Sequence, residues 1–191
     1  MKTDPSNFDV IIIGGGLAGL TSAIHLSKQG LRILVIEKNA YPKHKVCGEY
    51  ISNEVLPYLE SLDIDVFKLG AVKINTFELS TAKNKVVKAE LPLGGFGISR
   101  YCLDYALAQK AIENKAIIIQ ETVDHIQFSN EAFTVETKQA MYFSKIVVGA
   151  YGKRGHLDAK LKRDFIKNKS PFLAVKTHVK GHFPRKFSGP S

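Results

Sequence analysis

A doubly wound, Rossmann-like α/β fold, with a parallel sheet and antiparallel β insertions, is what the 191 residues predict. Three observations carry that expectation. Four short apolar runs, Val10–Ile13, Ile33–Ile36, Ala116–Ile119 and Ile146–Val148, are continuous rather than alternating. Such runs suit strands of a parallel sheet that are buried on both faces. Helical segments alternate with them, giving the strand–helix–strand order of right-handed crossover units. Between the first run and the first helix lies Gly14-Gly15-Gly16-Leu17-Ala18-Gly19, which fits G-x-G-x-x-G in the context that motif needs.

Each element has a local reason. The segment Leu17–Gln29 reads as a helix closed by Gly30, a residue suited to the left-handed position after a helix. Ser99–Asn114 reads as a second helix, with Ser99 as its N-cap and Leu103, Leu107 and Ala111 as an apolar stripe. Ala71–Leu91 reads as strand material around a Lys83-Asn84 turn. Ile126–Val135 alternates apolar and polar residues across Ser129-Asn130, the pattern of an antiparallel hairpin. Pro171–Val179 reads as one more strand. These elements predict a nucleotide-binding domain over 1–155, interrupted by a β insertion at about 70–96. Residues 156–191 then read as a tail or the start of a further, substrate-binding domain.

The glycine turn carries the chemistry. Gly14 permits a tight turn, Gly16 has no side chain to hold a diphosphate away from the backbone, and Gly19 lets helix and sheet pack closely. Leu17 and Ala18 open the helix, whose free N–H groups and partial positive charge face the phosphates. Glu37, followed by Lys38, ends the second strand 23 residues after Gly14, where a carboxylate accepts from ribose hydroxyls. An acid there also disfavours a 2′-phosphate, and so NADP, in this turn.

Composition excludes several classes. Cys47 and Cys102 form neither a disulfide framework nor a Cys-x-x-Cys dithiol, which points to a reducing cytoplasm. The start has no basic n-region and apolar core, and the longest apolar stretch, Val10–Leu20, is broken by glycines and too short to span a bilayer. The net charge of +9 comes entirely from residues 153–191, which hold 11 basic side chains against Asp158 and Asp164. Such a tail could meet phosphates or a membrane periphery. A plain surface segment is the favoured reading, with no nucleic-acid partner, because the tail has no recognisable aromatic-interleaved basic motif. His178 and His182 stand four apart but beside Gly181 and Pro184 in a strand-like segment, so no metal site is expected. Neither a Gly-x-Ser-x-Gly elbow nor a Gly-Lys-Ser/Thr phosphate loop is present.

Later residues extend the glycine turn into a family resemblance. Tyr41-Pro42-Lys43-His44-Lys45-Val46-Cys47-Gly48-Glu49 resembles the Pro-x-x-Lys-x-Cys-Gly stretch of the geranylgeranyl reductases. These belong to the larger class typified by p-hydroxybenzoate hydroxylase, with its aromatic-ring monooxygenases and flavin-dependent halogenases. Ser99–Leu107 is similar to that class's Arg-x-x-Leu-Asp-x-x-Leu helix start, and Ile146–Gly152 to its Gly-Ala-Asp-Gly fingerprint. The resemblance implies FAD as cofactor and NAD(P)H as electron donor. It further implies a small organic substrate, isoprenoid for a reductase or aromatic for a monooxygenase. It assigns Glu37 to the adenosine ribose, Arg100 to the phosphates or ribityl chain, Val123 to the adenine through its backbone, and Cys47 and Gly48 to the neighbourhood of the isoalloxazine. Gly152 is a further contact. The sequence departs from the pattern where Tyr151 replaces the fingerprint's Asp and where Lys153-Arg154-Gly155-His156 replaces the following Ser and Arg. The class also has a Gly-Asp motif in its C-terminal half, and no Gly-Asp occurs here. The expectation is therefore an FAD-dependent oxidoreductase of prenyl reductase type represented by its N-terminal part. A monooxygenase and a non-catalytic FAD-binding fragment are the alternatives.

Overall fold

The computed structural model describes residues 5–152, 156–164, 173 and 175. The expected strand over residues 171–179 and the pair His178 and His182 lie outside these, as do Lys153, Arg154 and Gly155. In order along the chain come β1 (Asn7–Ile13), α1 (Leu17–Lys28), β2 (Ile33–Glu37), β3 (Tyr50–Ser52), a 3-10 turn (Asn53–Val55), α2 (Leu56–Ser61), β4 (Val72–Ser80) and β5 (Val86–Gly97). After these come α3 (Arg100–Glu113), β6 (Ile117–Gln120), β7 (Val123–Ser129), β8 (Ala132–Thr137), β9 (Met141–Gly149) and α4 (His156–Lys160).

Six strands form the main sheet in the order β6-β2-β1-β9-β8-β7. The four strands built on the apolar runs, β6, β2, β1 and β9, are parallel. The hairpin β7–β8 joins β9 antiparallel and turns at Asn130 and Glu131, both at positive φ. The α/β class with a parallel-rich sheet is thus the architecture expected from the sequence.

Alternate residues of the central strands feed two cores. Val10, Ile12, Ile33 and Val35 pack with Leu20, Ala23 and Ile24 of α1 and with Leu103, Leu107 and Ala111 of α3. Ile11, Ile13, Leu34 and Ile36 pack on the other face with Val123, Val135 and Leu157. Burying a side chain of this size contributes about 1.5–3 kcal/mol, so the two layers fix the ends of β1 and β2 where the glycine turn emerges. Burial on both faces holds for β1 and β2 but not for all four runs. Ile117 of β6 and Ile146 of β9 are exposed. For β6 the reason is its place at the sheet edge, which an apolar run does not reveal.

The helix ends follow their caps. Gly30 sits at φ +83° and donates its N–H to the Ser27 carbonyl at 2.9 Å, closing α1. The Ser99 hydroxyl accepts from the Tyr101 N–H at 3.2 Å and starts α3. The expected insertion is a separate three-stranded sheet, β3-β5-β4. It turns at Asn84, φ +57°. It also takes in Tyr50–Ser52, a strand of three residues with too few positions to show a period.

Candidate functional site: the glycine turn and its surroundings

The turn between β1 and α1 is built from contacts that leave no room for side chains. Gly14 lies at φ +106°, and a Cβ there would come within 2.5 Å of the Ala150 carbonyl oxygen. A Cβ on Gly19 would overlap the Gly14 carbonyl oxygen. Hydrogen bonds then tie the turn to both neighbouring strands. The Gly14 N–H donates to Ile36 O at 2.9 Å, and the Ala150 N–H to Ile13 O at 2.8 Å.

Gly16 differs from its neighbours. It is the N-cap of α1, no side chain caps the helix, and the first turn contains no acid. Among the described residues, apart from its chain neighbours and the backbone of α1 itself, a Cβ built there would meet only Lys45 Nζ, at 3.3 Å, and Arg100 Nη2, at 3.9 Å, within 4 Å. The mouth of the helix is therefore open and bordered by two cations. That is the environment a diphosphate requires, since the uncapped N–H groups and the helix dipole also favour negative charge. The cradle fits the dinucleotide implied by the motif.

Glu37 occupies the end of β2 and is almost fully buried. Its Oε2 accepts from the Gly15 N–H at 2.8 Å. Its Oε1 accepts from the Asn39 N–H at 3.0 Å and from Asn39 Nδ2 at 3.1 Å, and forms an ion pair with Lys43. Burial works to raise the Glu37 pKa. Lys43 and the Gly15 and Asn39 N–H groups outweigh it and hold the carboxyl below its ordinary 4.5. The acid thus braces the glycine turn from outside. Tyr41 adds a second brace, its hydroxyl donating to the Gly15 carbonyl while Lys43 lies over its ring. Burial, followed by the nearby Glu37 and Asp104 charges, pushes the Tyr41 phenol upward and keeps it protonated as a donor. Sequence reasoning missed Tyr41 and Lys43, because the loop after β2 folds back onto the turn through contacts that no local pattern announces.

Arg100, at the start of α3, is buried rather than solvated. Its Nε and Nη2 donate to Asp104 Oδ1 and Oδ2 at 2.6 and 2.7 Å, one helical turn on, and Asp104 has no exposed surface. Burial alone would lower the Arg100 pKa. The Asp104 carboxylate reverses that, with a smaller contribution from the Cys47 sulfur. Cys47 is half-buried, its Sγ accepting from the Glu49 N–H at 3.5 Å. The i,i+4 spacing of Arg100 and Asp104 was the available signal for this pair.

The remaining expected residues fall in two places. Gly14, Glu37, Lys38 and Val123 line one cleft at the ends of β1 and β2, together with Glu121, Tyr151 and Leu157. Gly48 and Gly152 are exposed, and a Cβ on either would meet nothing within 4 Å. Tyr151, in place of the fingerprint's acid, donates its hydroxyl to Asp158 Oδ1 at 2.8 Å. Asp158 is buried and also accepts from Arg163 at 3.2 Å. Burial and this hydrogen bond raise the Tyr151 phenol. Among the described residues no cluster of His, Cys, Asp and Glu is placed to hold a metal, and no helix is long and apolar enough to cross a membrane.

With that geometry in place, comparisons with known proteins agree on the cofactor class. Residues 9–48 match the family model described as FAD dependent oxidoreductase. An FAD-dependent monooxygenase, olcE of Penicillium canescens, is 31% identical over 163 residues, covering 78% of this chain and 34% of its own length. The chain therefore spans about a third of that relative. A digeranylgeranylglycerophospholipid reductase of Sulfolobus acidocaldarius is 31% identical over 81 residues, covering 39% of this chain and 18% of its own length. The crystal structure of halogenase PltM with phloroglucinol and FAD shares the fold, at a TM-score of 0.67 and 20% identity over 81% of this chain and 36% of that one. In the glycine turn and the strand and loop behind it, residues 9–48, this chain is similar to the FAD-dependent oxidoreductases, and over 78% of its length it is similar to one such enzyme.

Proposed function

We propose that this chain binds FAD as the nucleotide-binding part of an oxidoreductase acting on a small organic molecule. The observation that carries the reading is the open, acid-free mouth of α1 at Gly16, faced by Lys45 and Arg100. In this reading the Gly16, Leu17 and Ala18 amides with Arg100 hold the diphosphate. Glu37 and Lys38 border the adenosine ribose, and the Val123 backbone borders the adenine in the same cleft. Cys47 and Gly48 would lie near the isoalloxazine, and Gly152 would be a further contact. Bound FAD supplies hydride and electron transfer, with NAD(P)H as the donor. The two free thiols suit a reducing cytoplasm.

Two substrate readings follow. Prenyl-type C=C reduction is supported by the Pro42–Gly48 loop and by the similarity to a digeranylgeranylglycerophospholipid reductase. Oxygen-dependent hydroxylation or halogenation is supported by the breadth of the match to an FAD-dependent monooxygenase. The first test is saturable FAD binding by the purified chain. Oxygen uptake coupled to an aromatic substrate would select the second reading. Isoprenoid reduction without oxygen uptake would select the first.

A further inference from the structure

Three cationic side chains converge on the glycine turn, and two of them have their charge matched within the protein. Lys43 pairs with Glu37, and Arg100 pairs bidentately with the buried Asp104. Lys45 is the exception. It is exposed, its Nζ is nearer than Arg100 to the space in front of Gly16, and among the described residues it forms an ion pair with no carboxylate. A diphosphate carries negative charge that must be balanced as well as hydrogen-bonded. A guanidinium already bidentate to a carboxylate offers its remaining N–H groups as oriented donors, but its charge is largely spent on that acid.

We infer that Lys45 is the residue that supplies the balancing charge to the FAD diphosphate, while Arg100, fixed by Asp104, orients it. The inference rests on the FAD-binding reading and gives it a residue that the motif did not assign. The Pro42-x-x-Lys45-x-Cys47-Gly48 stretch thereby gains a physical role, carrying an ammonium across the mouth of α1. The flexible stem of Lys45 lets the charge follow the ligand, whereas Arg100 is held in one place.

The test is titration of the 191-residue chain with FAD, followed by flavin fluorescence, at low and at high salt, for the wild type and three variants. Lys45→Met is expected to weaken FAD binding about tenfold or more and to flatten its salt dependence, because the exposed charge is the one that ions screen. Lys45→Arg should restore most of the affinity. Lys83→Met, which removes the same charge at the distant β4–β5 turn, should change neither property. The thermal midpoint of apo Lys45→Met should match that of the wild type, which separates ligand contact from a folding defect. Wild-type affinity and salt slope in Lys45→Met overturn the inference while leaving FAD binding intact. A wild-type chain that takes up no FAD overturns the reading beneath it as well.

Discussion

Alanine at Gly16 and alanine at Gly19 add the same methyl group three residues apart and are expected to have opposite consequences. At Gly19 the new Cβ would overlap the Gly14 carbonyl oxygen and lie 3.1 Å from Gly14 C and 3.3 Å from Ala150 Cβ. Backbone cannot yield as a side-chain tip does, so α1 must lift from the turn, at an overpacking cost of about 1–3 kcal/mol. For a chain of this length each kcal/mol shifts the thermal midpoint by about 2–4 °C, so Gly19→Ala should melt several degrees early. At Gly16 the backbone has φ −90° and ψ −170°, open to any residue, and the nearest atom is the movable Lys45 Nζ. Losing the glycine N-cap costs a few tenths to about 1 kcal/mol, and stiffening the unfolded chain returns about 0.4–1 kcal/mol. Gly16→Ala should therefore melt close to the wild type, yet lose at least about tenfold in FAD affinity, or about 1.4 kcal/mol, because its methyl stands where the diphosphate approaches. Thermal unfolding of the apo proteins and FAD titration of both variants are the assays. The reasoning is refuted if Gly16→Ala binds FAD with wild-type affinity, or if it unfolds as early as Gly19→Ala.

Other expectations follow from the braces around the turn. Asp104→Asn leaves the buried Arg100 guanidinium without its carboxylate and should lower stability by about 3 kcal/mol, read from the urea midpoint; a loss below about 1 kcal/mol would show that the pair is not buried as described. Tyr41→Phe removes the donor to the Gly15 carbonyl and should cost about 1 kcal/mol, with FAD affinity falling as the turn loosens. Glu37 has a folded-state pKa below its ordinary 4.5, so it contributes stability that is present above about pH 4.5 and is lost as the pH falls through the lower folded value. Glu37→Gln should accordingly be less stable than the wild type at neutral pH and show a flatter decline on acidification. A wild-type decline unchanged by that substitution would place the acid sensitivity elsewhere.

Much of the frame was legible because the signals were local. Val10–Ile13 and Ile33–Ile36 announced a buried parallel pair, Ser99 and Gly30 marked helix ends, and the G-x-G-x-x-G turn lay between a strand and a helix as its chemistry demands. What remained hidden depended on neighbours distant in sequence. Ile117 belongs to an apolar run yet is exposed, because β6 is an edge strand. Glu37 was expected to face ribose, and it lines the cleft while bracing Gly15, an arrangement that depends on Lys43 and Asn39 folding back over it. Arg100 was expected at the phosphates. It borders Gly16, but Asp104 already holds its fork, and the i,i+4 spacing of the two could have shown that pairing. Tyr151, a mismatch to the fingerprint in sequence, takes on a role once Asp158 returns beneath the cleft and accepts from its hydroxyl.

Equilibrium titration of the purified 191-residue chain with FAD tests the central claim most directly. The account predicts saturable binding of one FAD per chain, weakened by salt and by Gly16→Ala. Failure to retain or take up FAD at any concentration tried, or binding indifferent to Gly16→Ala, would contradict it.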